Sequence, residues 1–384
     1  MTHLPFDLSN WRQPPQNRDS FSRVETLLPV DEIPAGPAVA PLPQGEALDL
    51  SRIMVPTPAG PCPVPQLLAD TFTDGFLVLH KGRVVAEHAP NLAATARHIL
   101  FSVSKSVTGS LAGILVGEGK LDPDALVTRY VPEVAASAYR DCPVRHVLDM
   151  TVDLDFVEDY VDLEGDYARY RIATAWNPPR PGFGEVGLHK FLATVRPGRS
   201  NHGWKFDYKS VSSDLLGWIV ERAAGTTLAR VMAERLWQPV GAETAAYITT
   251  DGMGGARTAG GMGMTLRDIA RFAEVMRNEG KGFDGRQIIP AAWVKDIREG
   301  GSRDAWARGA MTHLFPQGSY RAKWYKANDA DGSFCAIGIH GQWIYVNPAR
   351  ELSIVKFSSQ PDAVVDAMEV NQIALFTAVS RVLT

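Results

Sequence analysis

The stretch Leu100-Phe101-Ser102-Val103-Ser104-Lys105 introduces a long apolar segment and is the most informative part of the chain. Ser102 and Lys105 are three residues apart, so on a helix their side chains share one face. Apolar residues follow at helical spacing, which predicts a helix with one side buried and its first turn in a cleft. A lysine whose pKa is lowered by burial or by a nearby cation can accept the proton of a serine hydroxyl. The alternative is an ordinary helix start, with Ser102 as its cap and Lys105 in solvent.

Composition excludes several classes of protein. With 384 residues, of which 45% are hydrophobic and 21% charged, the chain is typical of a globular protein with a sizeable core. The net charge of −4 offers no general attraction to nucleic acid, and no apolar stretch is long enough to span a bilayer. Cys62, Cys142 and Cys335 lack the paired spacing of a disulfide framework or a zinc cluster. Because residues 1–23 also lack the apolar segment of a secretory signal, we expect a cytoplasmic protein with reduced thiols. The charge predicts neither a nucleic-acid nor a membrane partner, and the lack of a ligand cluster or a phosphate-binding loop predicts no metal or organic cofactor.

The distribution of strand and helix patterns predicts an α+β fold. Hairpins are predicted over residues 75–87 and 342–358, and helices over 102–117, 144–150, 212–224, 228–237, 266–277 and 364–382. Strands near both ends of the core predict one antiparallel sheet flanked by helices, with a mainly helical region over about 120–265 between its two halves. The proline-rich residues 1–65 are expected to form an irregular arm around a domain spanning 66–384, and residues 151–200 a surface subdomain or lid.

Two later motifs are candidates to complete a site around Ser102. Tyr208 and Ser210 lie just before the predicted 212–224 helix. A phenol near an ammonium has a lowered pKa and could relay the serine proton, whereas the alternative is a structural tyrosine. In the segment Ile337-Gly338-Ile339-His340-Gly341-Gln342 the glycines allow a substrate to come close, and a backbone N–H there could hold an oxyanion together with that of Ser102. His340 could transfer a proton, pair with a phenol or be a satisfied structural histidine, and the structural role is favoured.

The order of these three motifs resembles that of the serine β-lactamase and penicillin-binding-protein superfamily. Residues 236–241 are similar to the family's L-x-x-P-L-G helix end, and residues 260–270 to its G-G-x-x-x-T-x-x-D-x-A stretch. Within the superfamily the chain is most similar to the 6-aminohexanoate-dimer hydrolases, the nylon-oligomer-degrading branch beside the class C and esterase-type enzymes. Residues 11–18 and 158–162 are similar to segments of that branch. The resemblance implies a β-lactamase-like fold over about residues 70–384.

The resemblance also implies a set of site residues. Ser102 would be acylated, with Lys105 and Tyr208 acting on its proton, and the backbone N–H groups of Ser102 and Ile339 would form the oxyanion hole. Substrate contacts are expected from Tyr160, Trp176, Ser210, His340, Glu158, Ala259 and Tyr325. Tyr160 would hold the amide or the leaving amine, Trp176 would act as a lid, and an acid such as Glu158 would suit a substrate ending in an ammonium. The alternatives are a solvated acidic loop around Glu158 and a tryptophan wedged among prolines on a surface loop.

Departures from the family pattern affect the expected substrate. Ser210 stands where the lactamase pattern prefers asparagine, and a Lys-Thr-Gly motif is missing, which disfavours efficient β-lactam turnover. Ala259 and Tyr325 replace a polar residue and a tryptophan of some amide hydrolases, which weakens the expectation of amide activity.

The favoured reaction is the hydrolysis of linear amides, such as 6-aminohexanoate oligomers, and of short-chain carboxylic esters by a serine hydrolase working through an acyl-enzyme. The alternatives are a carboxylesterase with little amidase activity, a weak β-lactam-hydrolysing protein and a non-catalytic penicillin-recognising protein. A small-molecule amide or ester is the expected partner, and the resemblance implies a homodimer.

Overall fold

The computed structural model describes residues 5–182 and 187–383, in which strands and helices combine as an α+β fold. The strands are β1 (Val30–Ile33), β2 (Met54–Thr57), β3 (Gly60–Pro63), β4 (Thr73–His80), β5 (Arg83–His88), β6 (His98–Ile99), β7 (Leu154–Asp155), β8 (Arg196–Pro197), β9 (Ala246–Thr249), β10 (Met262–Met264), β11 (Ser319–Arg321), β12 (Trp324–Lys326), β13 (Phe334–Gly338), β14 (Gln342–Asn347) and β15 (Leu352–Ser358). The α-helices are α1 (Asn17–Ser20), α2 (Val64–Asp70), α3 (Val103–Gly117), α4 (Val144–Leu148), α5 (Asp166–Ala173), α6 (Leu188–Leu192), α7 (Ser210–Ala224), α8 (Leu228–Met232), α9 (Gln238–Val240), α10 (Leu266–Arg277), α11 (Ala291–Glu299), α12 (Arg303–Ala307) and α13 (Asp366–Val382). None of these helices, over the described ranges, has both the length and the apolar character needed to cross a membrane.

Both ends of the chain contribute to the larger sheet. Over the described residues this sheet has seven strands in the order β11-β12-β13-β14-β15-β4-β5. Neighbouring strands are antiparallel throughout, and the N-terminal hairpin β4–β5 joins the C-terminal strands by pairing β4 with β15. The prediction of one antiparallel sheet built from N- and C-terminal segments is therefore confirmed.

Helices cover both faces of this sheet because successive strand residues point to opposite sides. Leu77 and Leu79 of β4 share a core cluster with Phe272 of α10. Phe76 and Val78 of the same strand belong instead to a cluster that includes residues of α13. The continuous apolar run of β4 is thus buried on both faces, as expected for a strand that lies between two helical layers.

A second antiparallel sheet, of order β1-β9-β10-β6 in the described part of the chain, lies beside the start of α3. Strand β6 ends at Ile99, and the next residue, Leu100, donates its backbone N–H to the Met262 carbonyl of β10 at 2.8 Å. This sheet therefore fixes the backbone just before Ser102. The pattern analysis did not predict it, because β6 and β10 are only two and three residues long.

The predicted irregular arm contains regular structure. Strand β1 pairs with β9, and β2 forms a hairpin with β3 in which Pro56 lies opposite Pro61. Prolines are tolerated there because a two-stranded ribbon leaves one side of each strand unpaired. The prediction was wrong for these strands because it took a high content of proline and small residues as a sign of irregular chain. Residues 1–4 of the arm lie outside the described residues.

The prediction of a surface subdomain or lid over 151–200 was wrong for helices α5 and α6, whereas Val157, Val161 and Leu163 are exposed. Tyr170 of α5 and Leu188 of α6 are fully buried in the main core cluster. Helices α5 and α6 are eight and five residues long, too short to show a clear apolar period, and they are buried because α5 packs against α6 and α6 packs against α7. Residues 183–186 lie outside the described residues.

Candidate active site

Ser102 lies at the N-terminal end of α3, a helix whose residues Val103 to Leu115 are all buried. The preceding residue, Phe101, has a φ of 44°, in the left-handed region that non-glycine residues rarely adopt. Such a conformation costs on the order of 1–3 kcal/mol and must be held by its surroundings. The Phe101 ring is stacked on Trp11 at 6.1 Å and lies 5.2 Å from the His340 ring. Packing against these two rings thus holds the turn that presents Ser102.

Lys105 is placed as the spacing of the motif predicted. Its Nζ lies 2.7 Å from Ser102 Oγ and donates to the Ala259 carbonyl at 2.6 Å. Burial lowers the pKa of Lys105 to about 7; the guanidinium of Arg257 acts in the same direction, whereas Glu158 opposes it. Near neutral pH a substantial fraction of the amine is therefore neutral and able to accept the Ser102 proton.

Tyr208 completes the group, but its acid–base character differs from the prediction. Its ring centroid lies 4.9 Å from Lys105 Nζ, and the ring stacks against Tyr325 at 6.4 Å. Removal from bulk water and the negative charge of Glu158 raise the pKa of Tyr208, and its hydrogen bond with Ser102 only partly offsets them. The prediction of a lowered pKa was wrong because it considered the nearby ammonium and not the cleft around it. Tyr208 is therefore a protonated phenol at neutral pH.

Glu158 organises one wall of the site. It accepts hydrogen bonds from the Tyr160 hydroxyl at 3.0 Å, from Ser210 Oγ at 2.6 Å and from the Ser210 backbone N–H. Burial and the adjacent carboxylate raise the pKa of Tyr160 well above its ordinary value. Glu158 is therefore not a solvated loop acid, and its oxygens already have neutral donors. This arrangement weakens the expectation that it pairs with a substrate ammonium.

Asp214 is a site residue that the sequence analysis missed. Its Oδ1 accepts the Ala259 N–H at 2.6 Å, while its Oδ2 is bonded to Arg257 and to the Tyr170 hydroxyl. Since the Ala259 carbonyl holds Lys105 Nζ, a continuous chain of hydrogen bonds runs from Asp214 to Ser102. The available signal was a carboxylate inside the apolar helical run of α7, four residues after Ser210.

Ala259 and Tyr325, predicted as substrate contacts, have other contacts in this structure. Ala259 is buried and links Asp214 to Lys105 through its backbone. Tyr325 is buried against Tyr208 and donates its hydroxyl to the Met311 sulfur at 3.6 Å. Both residues therefore contact the proposed catalytic side chains directly.

The strand end at Gly338 lies against the start of α3. A Cβ at this position would be 2.7 Å from the Leu100 carbonyl oxygen and 3.2 Å from the Ser102 nitrogen. A glycine is required for this approach. The motif predicted the close approach of a substrate, whereas the group that comes close in this structure is the turn before Ser102. Ile339, the next residue, is partly buried beside the aromatic cluster of Trp11 and Phe101. Its backbone is thus close to that of Ser102, which is the placement that a shared oxyanion hole needs.

His340 and Trp176 are more deeply packed than their predicted substrate-binding roles require. His340 is buried, its Nδ1 bonds the Gln360 carbonyl at 2.7 Å, and burial lowers its pKa to about 4. It is thus the satisfied, neutral structural histidine. Trp176 is also buried, and its Nε1 donates to Thr249 Oγ1 at 3.1 Å. Its ring packs 5.4 Å from Trp11, so in this conformation it is neither an open lid nor a surface side chain.

The class of the protein is defined by the buried Ser102 and Lys105, which lie with the partly buried Tyr208 at the junction of a helix and an antiparallel sheet. A family model for β-lactamases matches residues 66–378. The chain belongs to this family and so to the superfamily of serine β-lactamases and penicillin-binding proteins.

Comparison with individual relatives indicates which branch of the family the chain is most similar to. The chain is 36% identical to a 6-aminohexanoate-dimer hydrolase of Paenarthrobacter ureafaciens, over 92% of this chain and 88% of that protein. A Bacillus anthracis structure with a provisional description as a 6-aminohexanoate-dimer hydrolase matches with a TM-score of 0.89 at 24% identity, covering 98% of this chain and 97% of the other. A family VIII carboxylesterase matches with a TM-score of 0.60 at 15% identity, over 87% and 99% of the two chains. These two structural matches establish a shared fold, and the predicted resemblance is confirmed.

Proposed function

We propose that the protein is a serine hydrolase that cleaves linear amides, such as 6-aminohexanoate oligomers, and short-chain carboxylic esters through an acyl-enzyme. The observation that carries this proposal is the 2.7 Å contact between Lys105 Nζ and Ser102 Oγ, made by a lysine whose pKa is lowered to about 7. The 36%-identical relative with a 6-aminohexanoate-dimer hydrolase description supports the choice of substrate.

Acylation begins when Ser102 Oγ attacks the carbonyl carbon. Lys105, as the neutral amine, accepts the hydroxyl proton. Tyr208 gives its proton to the leaving amine or alkoxide and regains one from Lys105, so the phenol and the amine return to their starting states. A raised pKa suits Tyr208 to this role, because the phenol remains protonated until the leaving group develops negative charge.

The developing oxyanion is assigned to the backbone N–H groups of Ser102 and Ile339. Removing one donor of such a pair costs about 3 kcal/mol of transition-state stabilisation in other hydrolases. Water then attacks the acyl carbonyl and gives a proton to Lys105. The bond between the acyl carbon and Ser102 Oγ breaks, Lys105 returns the proton to Oγ, and the acid is released.

A carboxylesterase with little amidase activity is the second candidate. Esters have better leaving groups than amides and need less help with protonation. Ala259 has no polar side chain to orient an amide, and Tyr325 contacts Tyr208 rather than an open cleft. A weak β-lactam-hydrolysing protein and a non-catalytic penicillin-recognising protein are further alternatives of the same fold.

Turnover of 4-nitrophenyl acetate and of 6-aminohexanoate dimer tests the proposal. Ester turnover by the wild-type protein should fall by about 10⁴-fold or more in Ser102→Ala, because the nucleophile is removed. Ser104→Ala is the matched control, since Ser104 is a buried serine of the same helix whose Oγ accepts the Met262 backbone N–H at 3.2 Å. Ester turnover that survives in Ser102→Ala would exclude this nucleophile. Turnover of the ester but not of the dimer would select the carboxylesterase, and failure of a fluorophosphonate probe to label the protein would favour the non-catalytic alternative.

A further inference from the structure

Two arginines near the proposed site have only neutral partners. Arg12, in the N-terminal segment, donates to the Asn177 side-chain oxygen at 2.5 Å. Arg171, in α5, donates to the backbone carbonyls of Tyr160 and Asp162 at 3.3 and 3.4 Å. Among the described residues, no carboxylate oxygen lies within the 4.0 Å of a salt bridge from either guanidinium. The nearby Arg257, by contrast, is paired with Asp214.

The two guanidinium groups lie at one end of the aromatic cluster behind Ser102. The backbone N–H groups of Trp176 and Asn177 donate to the Arg171 carbonyl, so the partner of Arg12 follows directly after α5. The Arg12 guanidinium lies 6.0 Å from the Trp176 ring centroid, and that ring is 6.1 Å from Phe101. Arg171 contacts the backbone of Tyr160, whose hydroxyl is bonded to Glu158 in the site. Arg171 thus contacts Tyr160 itself, and Arg12 contacts the residue that follows Trp176.

The charges in this region favour binding of an anion. Arg12 is only partly exposed, and burial together with the positive charge of Arg171 lowers its pKa to about 9. Burial also lowers the pKa of Arg171, and its Nε is buried without a hydrogen-bond partner. Both groups keep their charge at neutral pH in surroundings that solvate it poorly. The Asp159 carboxylate offsets the burial of Arg171 only in part, and among the described residues neither arginine is paired with a carboxylate. A desolvated cation in such surroundings is unfavourable, and a carboxylate bound by the two planar guanidinium groups would relieve that cost.

We infer that Arg12 and Arg171 bind the carboxylate of a substrate tail, so that the enzyme prefers linear amides and esters that end in a carboxylate. This inference rests on the proposed function and adds the charge of the substrate to it. The carboxylate lies at the Trp176 end of the cleft, and the scissile carbonyl lies at Ser102. Glu158, whose oxygens are held by Tyr160 and Ser210, does not determine this selectivity.

Two matched pairs of esters test the inference. One pair is the mono-4-nitrophenyl ester of adipic acid and its carboxamide, which differ only in the charge of the acyl tail. The other pair is the acetyl esters of 6-hydroxyhexanoic acid and of 6-hydroxyhexanamide, which place the same difference on the leaving group. We expect the wild-type kcat/KM to favour the carboxylate by about tenfold or more in at least one pair.

Arg12→Gln and Arg171→Gln should each reduce this preference by about tenfold, and because the preference is the ratio of the two kcat/KM values, a general loss of activity cancels out of it. Arg12→Lys keeps the charge and should retain part of the preference. Arg169→Gln is the matched control, because Arg169 is an exposed arginine of α5. A wild-type protein that does not favour the carboxylate in either pair, or a preference that survives in both Arg12→Gln and Arg171→Gln, would overturn the inference.

A binding measurement separates this inference from the proposed function. Ser102→Ala protein is titrated calorimetrically with N-acetyl-6-aminohexanoate and with its carboxamide. Tighter binding of the carboxylate, lost in Ser102→Ala/Arg12→Gln, supports the subsite even when no ester is hydrolysed. Equal binding of the two compounds contradicts the subsite even when Ser102 proves to be the nucleophile. A thermal unfolding scan of each variant checks that the fold is retained.

Discussion

At the scale of the residue, Lys105 rather than Tyr208 is the group whose charge changes near neutral pH. Burial disfavours the charged form of each side chain, so it lowers the pKa of the ammonium and raises that of the phenol. The lysine reaches about 7, while the tyrosine moves away from physiological pH. The same environment therefore makes Lys105, the proposed base, easier to deprotonate and keeps Tyr208, the proposed acid, protonated.

The pH dependence of ester hydrolysis should follow Lys105. Its neutral form accumulates as pH rises through about 7, so kcat/KM should rise over that range and level off above it. Steady-state kinetics with 4-nitrophenyl acetate between about pH 5.5 and 8.5 measures this limb. A flat profile across that interval would exclude Lys105 as the titrating base.

Glu158→Gln is expected to shift the rise of kcat/KM with pH to lower pH. The negative charge of Glu158 favours the ammonium form of Lys105, so its removal lowers the pKa of the lysine further. Ser210→Ala removes a hydrogen bond to Glu158 but leaves its charge in place, and its profile should stay close to wild type. Equal shifts in the two variants would contradict an electrostatic origin.

Asp214→Asn should change both stability and the pH profile. It leaves the buried Arg257 without a counter-charge, which typically destabilises a protein by about 3–5 kcal/mol. The uncompensated guanidinium also lowers the pKa of Lys105, and the loosened Ala259 backbone reduces kcat by about tenfold or more.

Asp268→Asn is the matched control for this prediction. Asp268 also forms a buried pair, with Arg271 of α10, but it has no described contact with Lys105 or Ala259. Chemical denaturation should show a similar loss of stability, with an unchanged pH profile. A pH profile for Asp214→Asn that matched the wild-type profile would mean that Asp214 has a purely structural role.

At the scale of the element, close contacts at glycines place α3 against its neighbours. Gly109 lies where a Cβ would be 2.2 Å from the Ala322 carbonyl of the β11–β12 turn, and Gly338 brings β13 against the turn before Ser102. Neither position has room for a side chain. The contact at Gly338 brings β13 against the start of α3, where the oxyanion hole is proposed.

Gly338→Ala should lower kcat by about tenfold or more, because the added methyl group pushes β13 away from the Leu100 carbonyl and the Ser102 nitrogen. Gly75→Ala is the control, since Gly75 lies in the same sheet and its added Cβ would meet the flexible Leu266 side chain at 3.0 Å. Ester turnover and the thermal midpoint are measured for both. Wild-type kcat in Gly338→Ala would contradict the proposed use of this strand end.

At the scale of the whole molecule, the N-terminal segment supports the proposed active site. Trp11 is fully buried and stacks on Phe101, and its Nε1 donates to the Trp176 carbonyl at 3.4 Å. Asn17 donates to the carbonyls of Ser359 and Gln360 at 3.0 and 3.1 Å, just after β15. The segment therefore connects the end of the large sheet to the turn that presents Ser102.

Trp11→Ala should destabilise the protein by about 3–5 kcal/mol, as expected for a buried tryptophan, and should also lower ester turnover because Phe101 loses its stacking partner. Trp237→Ala removes an equally buried tryptophan whose Nε1 bonds the Thr244 carbonyl. It should cause a similar loss of stability with nearly normal kcat. Equal turnover in the two variants, measured below both unfolding midpoints, would contradict a specific role for Trp11.

Much of the fold and the centre of the site could be predicted from local patterns. The helix after Ser102, the two hairpins and the helix Leu266–Arg277 follow from apolar periodicity and turn residues within one segment. The short strands β6 and β10 and the buried helices α5 and α6 could not be predicted, because their stability comes from tertiary packing rather than from their own pattern.

The sequence by itself determined the α+β fold, the proximity of Ser102 to Lys105, the order of the motifs and hence the family. The first two follow from local patterns within single segments, and the family follows from the order of the motifs along the sequence. Only the tertiary structure decided that Tyr208 is a phenol, that Asp214 holds Lys105 through Ala259, and that Arg12 lies beside Trp176. The reason is physical: burial and Coulomb interactions depend on distance through space, and these groups are brought together from segments far apart in the chain.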